Sequence, residues 1–137
     1  MSVRNVLVRL PRYLWAAPCS IVGLVFVGFA VFFGAKAQVR EGTLQVTGGR
    51  LATSISRLPT RLRILAFTNG HVIFAISQGA MDTYRAHELV HVRQYERWGP
   101  LFPILYLGSS LVQRWKGRDP YFSNRFEREA RKADQPE

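Results

Sequence analysis

The chain has a single cysteine, Cys19, which excludes an internal disulfide and any cysteine-rich zinc ribbon. It has no helix-turn-helix pattern, no aromatic RNA-binding signature and no zinc-finger spacing, so no nucleic-acid partner is expected. Internal repeats and low-complexity tracts are absent. Acidic residues are almost missing from the first half: residues 1 to 66 carry nine Lys or Arg against one acid, Glu41. Within that half, "LWAAPCSIVGLVFVGFAVFFGA", residues 14 to 35, has no charge at all.

The 137 residues suffice for one domain and a short extra segment, and 47% of them are hydrophobic, so a core can be buried. Most of the net charge of +10 comes from the first half, since residues 67 to 137 nearly balance ten bases with eight acids. A one-sided basic half calls for an anionic partner, and the apolar run inside it makes anionic membrane lipid the expected one. Val3, Val6, Leu7 and Leu10 fall at helical spacing among Arg4, Arg9 and Arg12, which suggests a short amphipathic helix on a bilayer before Pro11.

At about 1.5 Å per residue, the uncharged run spans roughly a hydrocarbon core, with Trp15 placed as an interfacial anchor. Two readings compete with a membrane helix: a buried core helix, and a secretory signal ending near "AKA", 35 to 37. The run is longer than the usual signal core and Pro18 breaks its start, so a retained anchor is expected and secretion is not. Basic residues flank it on both sides, with Lys36, Arg40, Arg50, Arg57, Arg61 and Arg63 following it, so the positive-inside rule nearly cancels. The expectation is a membrane protein, single-pass or monotopic, and a shallow hairpin dipping into one leaflet would satisfy both flanks. Residues 1–37 then form the membrane segment and 38–137 the folded domain.

Residues 38 to 50 alternate between glycines and read as a strand pair or a strand with a turn. "RLRILAFTNGHVIFAIS", 61 to 77, reads as a hairpin around Asn69-Gly70. "QGAMD" closes the strand, and Asp82 or Thr83 caps a helix that runs to Trp98 and stops at Gly99-Pro100. Residues 101 to 115 form a core or membrane-contacting helix. A loop follows, then a short charged helix from Arg125 with Phe126, Ala130 and Ala133 as its apolar edge. The fold class is α+β: an N-terminal membrane helix, a small hairpin or sheet, then helices.

The helix from 82 to 98 carries "HELVH", the pattern His-Glu-x-x-His. Residues four apart share a helix face, so His87 and His91 point the same way and two imidazoles can bind one ion. Glu88 flanks that ion and is placed to take a proton from water. Zinc suits imidazole, keeps an open position, and lowers the pKa of a bound water to near 7. Tyr84, Tyr95 and Trp98 share the histidine face, which argues against mere solvated decoration. The preceding hairpin offers a strand edge for an extended substrate.

A third ligand is needed. Cys19 lies in the apolar run, His71 reads as a polar residue beside a turn, and Glu96 lies across the helix from His91. Asp119, Glu127, Glu129, Asp134 and Glu137 remain downstream. "NRFEREA" offers Glu127 and Glu129, only one of which can face the ion, and helical geometry leans slightly to Glu129. Tyr106, Tyr121 and Arg125 are candidates for stabilising an oxyanion. Gln94, one turn past His91, faces either the cleft or a loop.

"HELVHVRQYERWGPLF" followed by "NRFEREA" resembles the small gluzincin-type zinc metallopeptidase domains of bacteria, over roughly residues 82 to 134. The resemblance implies a minimal zincin-like fold, Zn2+ as cofactor, and a peptide or protein substrate. His87 and His91 would be zinc ligands and Glu88 the catalytic base. In membrane-anchored relatives the ligand glutamate stands three before Ala, which selects Glu127; in thermolysin-like relatives it directly precedes Ala, which selects Glu129. Glu127 is the choice, Glu129 the alternate. The aspartate that often follows four residues later would fall on Arg131 or Ala133, so the support of a ligand histidine is expected to be weak. The function implied is a membrane-associated zinc metallopeptidase; the alternative is a non-catalytic zinc-binding module at the membrane surface.

Overall fold

Thirty residues, Val3–Phe32, form one helix, α1. It runs through Pro11 and Pro18, although the sequence suggested a first helix ending before Pro11 and a break at Pro18 near the start of the apolar run. Each proline removes one ladder donor without ending the helix. In the computed structural model, residues 3–59 and 64–134 are described. The side chains of Val3, Val6 and Leu7, the start of the expected hairpin run, and Glu137 lie outside the described residues. By length and composition α1 could cross a membrane: within Arg9–Phe32 an 18-residue window reaches a mean hydropathy of 2.1.

β1 (Lys36–Arg40) and β2 (Thr43–Thr47) form an antiparallel hairpin. Its two-residue turn is Glu41-Gly42, with φ of 53° and 74°, the doubly left-handed geometry that matches strand twist. A short helix, α2 (Gly49–Ser56), follows and has no counterpart in the sequence reading. β3 (Ala66–Asn69) and β4 (Val72–Ala75) form the second hairpin, paired Asn69 to Val72. The turn therefore lies at Gly70-His71, one residue later than expected, and Gly70 takes the positive φ of 63°. β2 runs parallel to β4, which joins the hairpins into one four-stranded sheet of order β1-β2-β4-β3.

α3 (Gln78–Trp98) begins earlier than Asp82 or Thr83, because the Ser77 hydroxyl accepts the Ala80 N–H at 3.1 Å. The stretch 78 to 82 is its first turn, and Asp82 instead pairs with Arg85. α3 stops at Gly99, as expected, with φ 55°. A 3-10 turn, Gly99–Leu101, leads directly into α4 (Phe102–Trp115). Asn124 caps α5 (Arg125–Arg131) by accepting the Phe126 N–H, and a 3-10 turn, Lys132–Asp134, ends the described chain.

The architecture is α+β, as the pattern implied. Ala16, Tyr95, Phe102 and Phe126 form the core where α1, α3, α4 and α5 meet. Ala35, Val46, Val72 and Phe74 form a second core under the sheet, and Ile73, Ala75, Met81 and Val92 a third between sheet and α3.

Candidate metal centre

α3 passes between the sheet and α5, and its buried face carries His87, Glu88, His91, Gln94 and Tyr95. The Nε2 atoms of His87 and His91 lie 3.2 Å apart. Glu127 enters from α5 with Oε2 at 3.2 Å from His87 Nε2 and Oε1 at 3.3 Å from His91 Nε2. The three side chains are buried, and their ligand atoms all lie within 4.8 Å of one another. Three side chains from two helices thus converge on one point that could hold a metal ion.

The hydrogen bonds around the triad fix what each nitrogen offers. Gln94 Nε2 donates to Phe126 O and to Glu129 Oε2, both at 3.1 Å, so its Oε1 faces His91 and accepts from Nδ1 at 2.8 Å. His87 Nδ1 donates to Asp134 Oδ2 at 2.9 Å. With both protons on Nδ1, both Nε2 atoms present lone pairs toward Glu127. With His87 Nε2 unprotonated, Glu127 Oε2 is buried with no hydrogen-bond partner among the described residues. Two imidazole lone pairs and an orphaned carboxylate oxygen facing one another is an arrangement a metal cation satisfies.

In the ion-free protein a proton takes that place. Burial works against a charged His87, but Glu127 and Asp134 outweigh it and hold its pKa up at about 9. His91 is raised against the same burial by Glu127 and Gln94. Burial opposes ionisation of Glu127 too, yet both histidines and Tyr106 hold it well below the usual carboxylate range.

Glu88 is buried beside the triad and is not part of it. Its Oε2 accepts the Thr68 hydroxyl of β3 at 2.6 Å. Burial raises its pKa, with the Thr68 hydrogen bond and the two histidines pulling the other way. The site opens into a cleft lined by Phe67, Phe102, Pro103, Tyr106, Leu107 and Tyr121.

The alternate ligand, Glu129, is turned away: it is exposed, holds Gln94 Nε2, and lies 3.8 Å from Arg97. The lean toward Glu129 from helix geometry is therefore corrected. It counted Ala133 in the inward edge, but the buried residues of α5 are Phe126, Glu127 and Ala130, and Ala133 lies in the 3-10 turn beyond. The expected weak support of the histidines is corrected as well. Asp134 supplies the carboxylate missing at 131 and 133, because the shift from α5 to a 3-10 turn swings it back to His87.

Among the oxyanion candidates, Tyr106 is already committed, donating to Glu127 Oε1 at 2.6 Å. Tyr121 lines the cleft, and burial together with Glu127 raises its pKa. Arg125 is exposed, its guanidinium 4.9 Å from the Phe126 ring centroid, and it does not line the cleft. His71 and Glu96 pair with each other at 3.1 Å on the far side of α3. Sequence reading missed Thr68, whose spacing to Glu88 carries no motif. Comparison with protein families, characterised proteins and solved structures finds no match to this chain.

Proposed function

We propose that the protein is a membrane-associated zinc metallopeptidase of gluzincin type. The observation that carries the reading is the convergence of His87, His91 and Glu127 with a buried, non-ligating carboxylate, Glu88, on the next residue of the same helix. A zinc ion held by the three would polarise a substrate carbonyl and make water nucleophilic near neutral pH. Glu88 then takes the proton from the attacking water and passes it to the leaving amine. Its burial keeps its proton affinity above that of a free carboxylate, which suits a group that must both accept and return a proton. Tyr121, which lines the cleft and reaches Glu127 with its side chain, would turn its hydroxyl to the developing oxyanion.

The substrate backbone has a place to lie. β3 is the outer strand of the sheet on the α3 side. Ile76 N–H donates to Leu65 O at 3.0 Å, so alternation turns the backbone groups of Ala66 and Thr68 away from β4 toward the open edge. An extended peptide can pair there, with Phe67, Phe102 and Leu107 favouring apolar side chains. The test is metal analysis of the purified protein together with hydrolysis of a fluorogenic peptide library. The expected result is about one zinc ion per chain and turnover that disappears in Glu88→Gln while zinc stays bound. Zinc without turnover in the unaltered protein would leave a non-catalytic zinc module; no metal at all would end both readings.

A further inference from the structure

α1 is fastened to the rest of the protein from Tyr13 to its C-terminal end. Tyr13 donates to Gly42 O at 2.9 Å and stacks on His71 with ring centroids 4.0 Å apart. Ala16 sits in the core with Tyr95 and Phe102. The His71 N–H donates to Ser20 Oγ at 3.1 Å. Gly23 lies against Asn69 and Val72, and Val27 and Ala30 pack on Val46 and Val72. Just past the helix, Phe33 O accepts from Arg50 N at 2.9 Å. From residue 13 to 33 these contacts cover about 30 Å of chain, the thickness of a hydrocarbon core.

A spanning helix fastened in this way would draw the sheet and α3 into the bilayer with it. β1 is exposed at every position and includes Lys36, Gln38 and Arg40. As the strand at the other end of the sheet, it has backbone donors and acceptors with no strand beyond it among the described residues. Open sheet edges are not found in hydrocarbon, because nothing there can pair them. Arg93 and the Glu96 carboxylate, which line a polar pocket with Tyr13 and His71, would be immersed too. The opposite side of α1 has the reverse chemistry. Leu14, Ile21, Val25, Phe29 and Phe32 are all exposed, Val25 by 69% and Phe32 by 81%.

We propose that α1 is an in-plane anchor: its outer face sinks into one leaflet of an anionic bilayer, and both of its ends stay on the side that holds the metal cleft. Lipid then meets only apolar side chains, and water meets the sheet edge and the charges. The charge pattern selects lipid as the occupant. Residues 3 to 32 contain no acid, Arg9 and Arg12 stand near one end of the apolar face, and Lys36 and Arg40 follow the other. α4 repeats the combination, with Ile104, Leu111 and Trp115 exposed and Arg114 and Lys116 flanking the tryptophan. The inference rests on the membrane half of the reading above and is independent of the peptidase half.

The test uses the full chain expressed in bacteria in a Cys19→Ser background. Single cysteines at Arg9→Cys, which lines the polar pocket away from the apolar face, Val25→Cys and Lys36→Cys are exposed to a membrane-impermeant maleimide, in sealed spheroplasts and in inverted membrane vesicles. The expected result is that Arg9→Cys and Lys36→Cys react in the same preparation and are both protected in the other, while Val25→Cys reacts only after detergent. Reaction of the two ends from opposite sides would establish a spanning helix and overturn the proposal while leaving membrane association intact. Free reaction of Val25→Cys in intact membranes would also overturn it, as would its oxidation to a disulfide between two copies. A chain that fractionates entirely as soluble would remove the membrane half of the reading as well, with hydrolysis and its loss in Glu88→Gln still measurable separately.

Discussion

The Nδ1 of His87 donates to Oδ2 of Asp134 across 2.9 Å, joining the metal-site helix to the last described turn of the chain. That bond fixes the imidazole tautomer, aims Nε2 at Glu127 and raises the basicity of the ligand. Asp134→Asn is expected to weaken zinc binding by about 10- to 100-fold, read by competition with a chromogenic chelator. The side chain of Asp134 is partly open to solvent, so the fold should survive and the loss should report the ligand, not unfolding.

Glu127 and Glu129 differ by two positions and by everything around them. Glu127 is 3% exposed between two imidazoles and Tyr106, and Glu129 lies at the surface against Gln94 and Arg97. Glu127→Gln removes the anionic ligand and should abolish retained zinc after dialysis, measured by atomic emission. Glu129→Gln should retain zinc at full stoichiometry. Equal loss in the two variants would mean that the helix α5 is rotated relative to α3.

The histidine helix could be read from sequence because His87 and His91 repeat with the helical period, which fixes a face within one element; Glu127 came ahead of Glu129 only through the family resemblance, since helix geometry leaned the other way. The second hairpin was readable because Asn69-Gly70 marks a turn locally, although tertiary contact with Ser20 moved the turn to Gly70-His71. The parallel pairing of β2 with β4 was not readable, since nothing local in "TLQVT" names a partner nearly thirty residues away. Asp134 and Thr68 escaped for the same reason: each meets its partner through chain reversal, and single polar residues carry no periodic signal. The sequence marks His71 as a polar residue beside a turn, and it lies in that turn, but it is also buried and ties α1 to α3 through Ser20 and Glu96.

Thr68 donates to the ionised form of Glu88, which holds the carboxyl pKa below what burial alone would set. Thr68→Val keeps the shape and removes the hydroxyl. The pKa of Glu88 should rise, so the acid limb of the pH–rate profile for peptide hydrolysis should move to higher pH. Zinc affinity should change little, because Thr68 touches no triad atom among its hydrogen bonds.

Proton and metal compete at His87. Its pKa in the ion-free protein is raised from 6.5 to about 9, so at neutral pH a metal ion entering the site would have to displace a bound proton. Calorimetric titration at pH 7 in buffers of different ionisation enthalpy should show release of at least about one proton per ion. Apparent affinity should climb as pH rises toward 9. The sign for stability runs the other way in the ion-free protein: the raised pKa contributes stability fully present below 6.5 and lost as pH rises through about 9. The gap in Tm between zinc-loaded and ion-free protein should therefore widen across that window.

Two glycines of α1 test whether the helix is fastened on one side. A Cβ at Gly23 would stand 2.8 Å from the backbone carbonyl oxygen of Asn69 and 3.0 Å from Val72, whereas a Cβ at Gly28 would meet nothing within 4 Å. In a free helix both Gly→Ala changes would stabilise by about 0.5–1 kcal/mol, through backbone entropy. Fastened as seen here, Gly23→Ala must push the β3–β4 turn away, and overpacking of that kind costs about 1–3 kcal/mol. Gly28→Ala should be neutral or slightly stabilising and Gly23→Ala clearly destabilising, measured as the shift in denaturant midpoint in matched detergent. Equal behaviour of the two would mean that α1 separates from the sheet in solution, and the in-plane anchor would lose its structural basis.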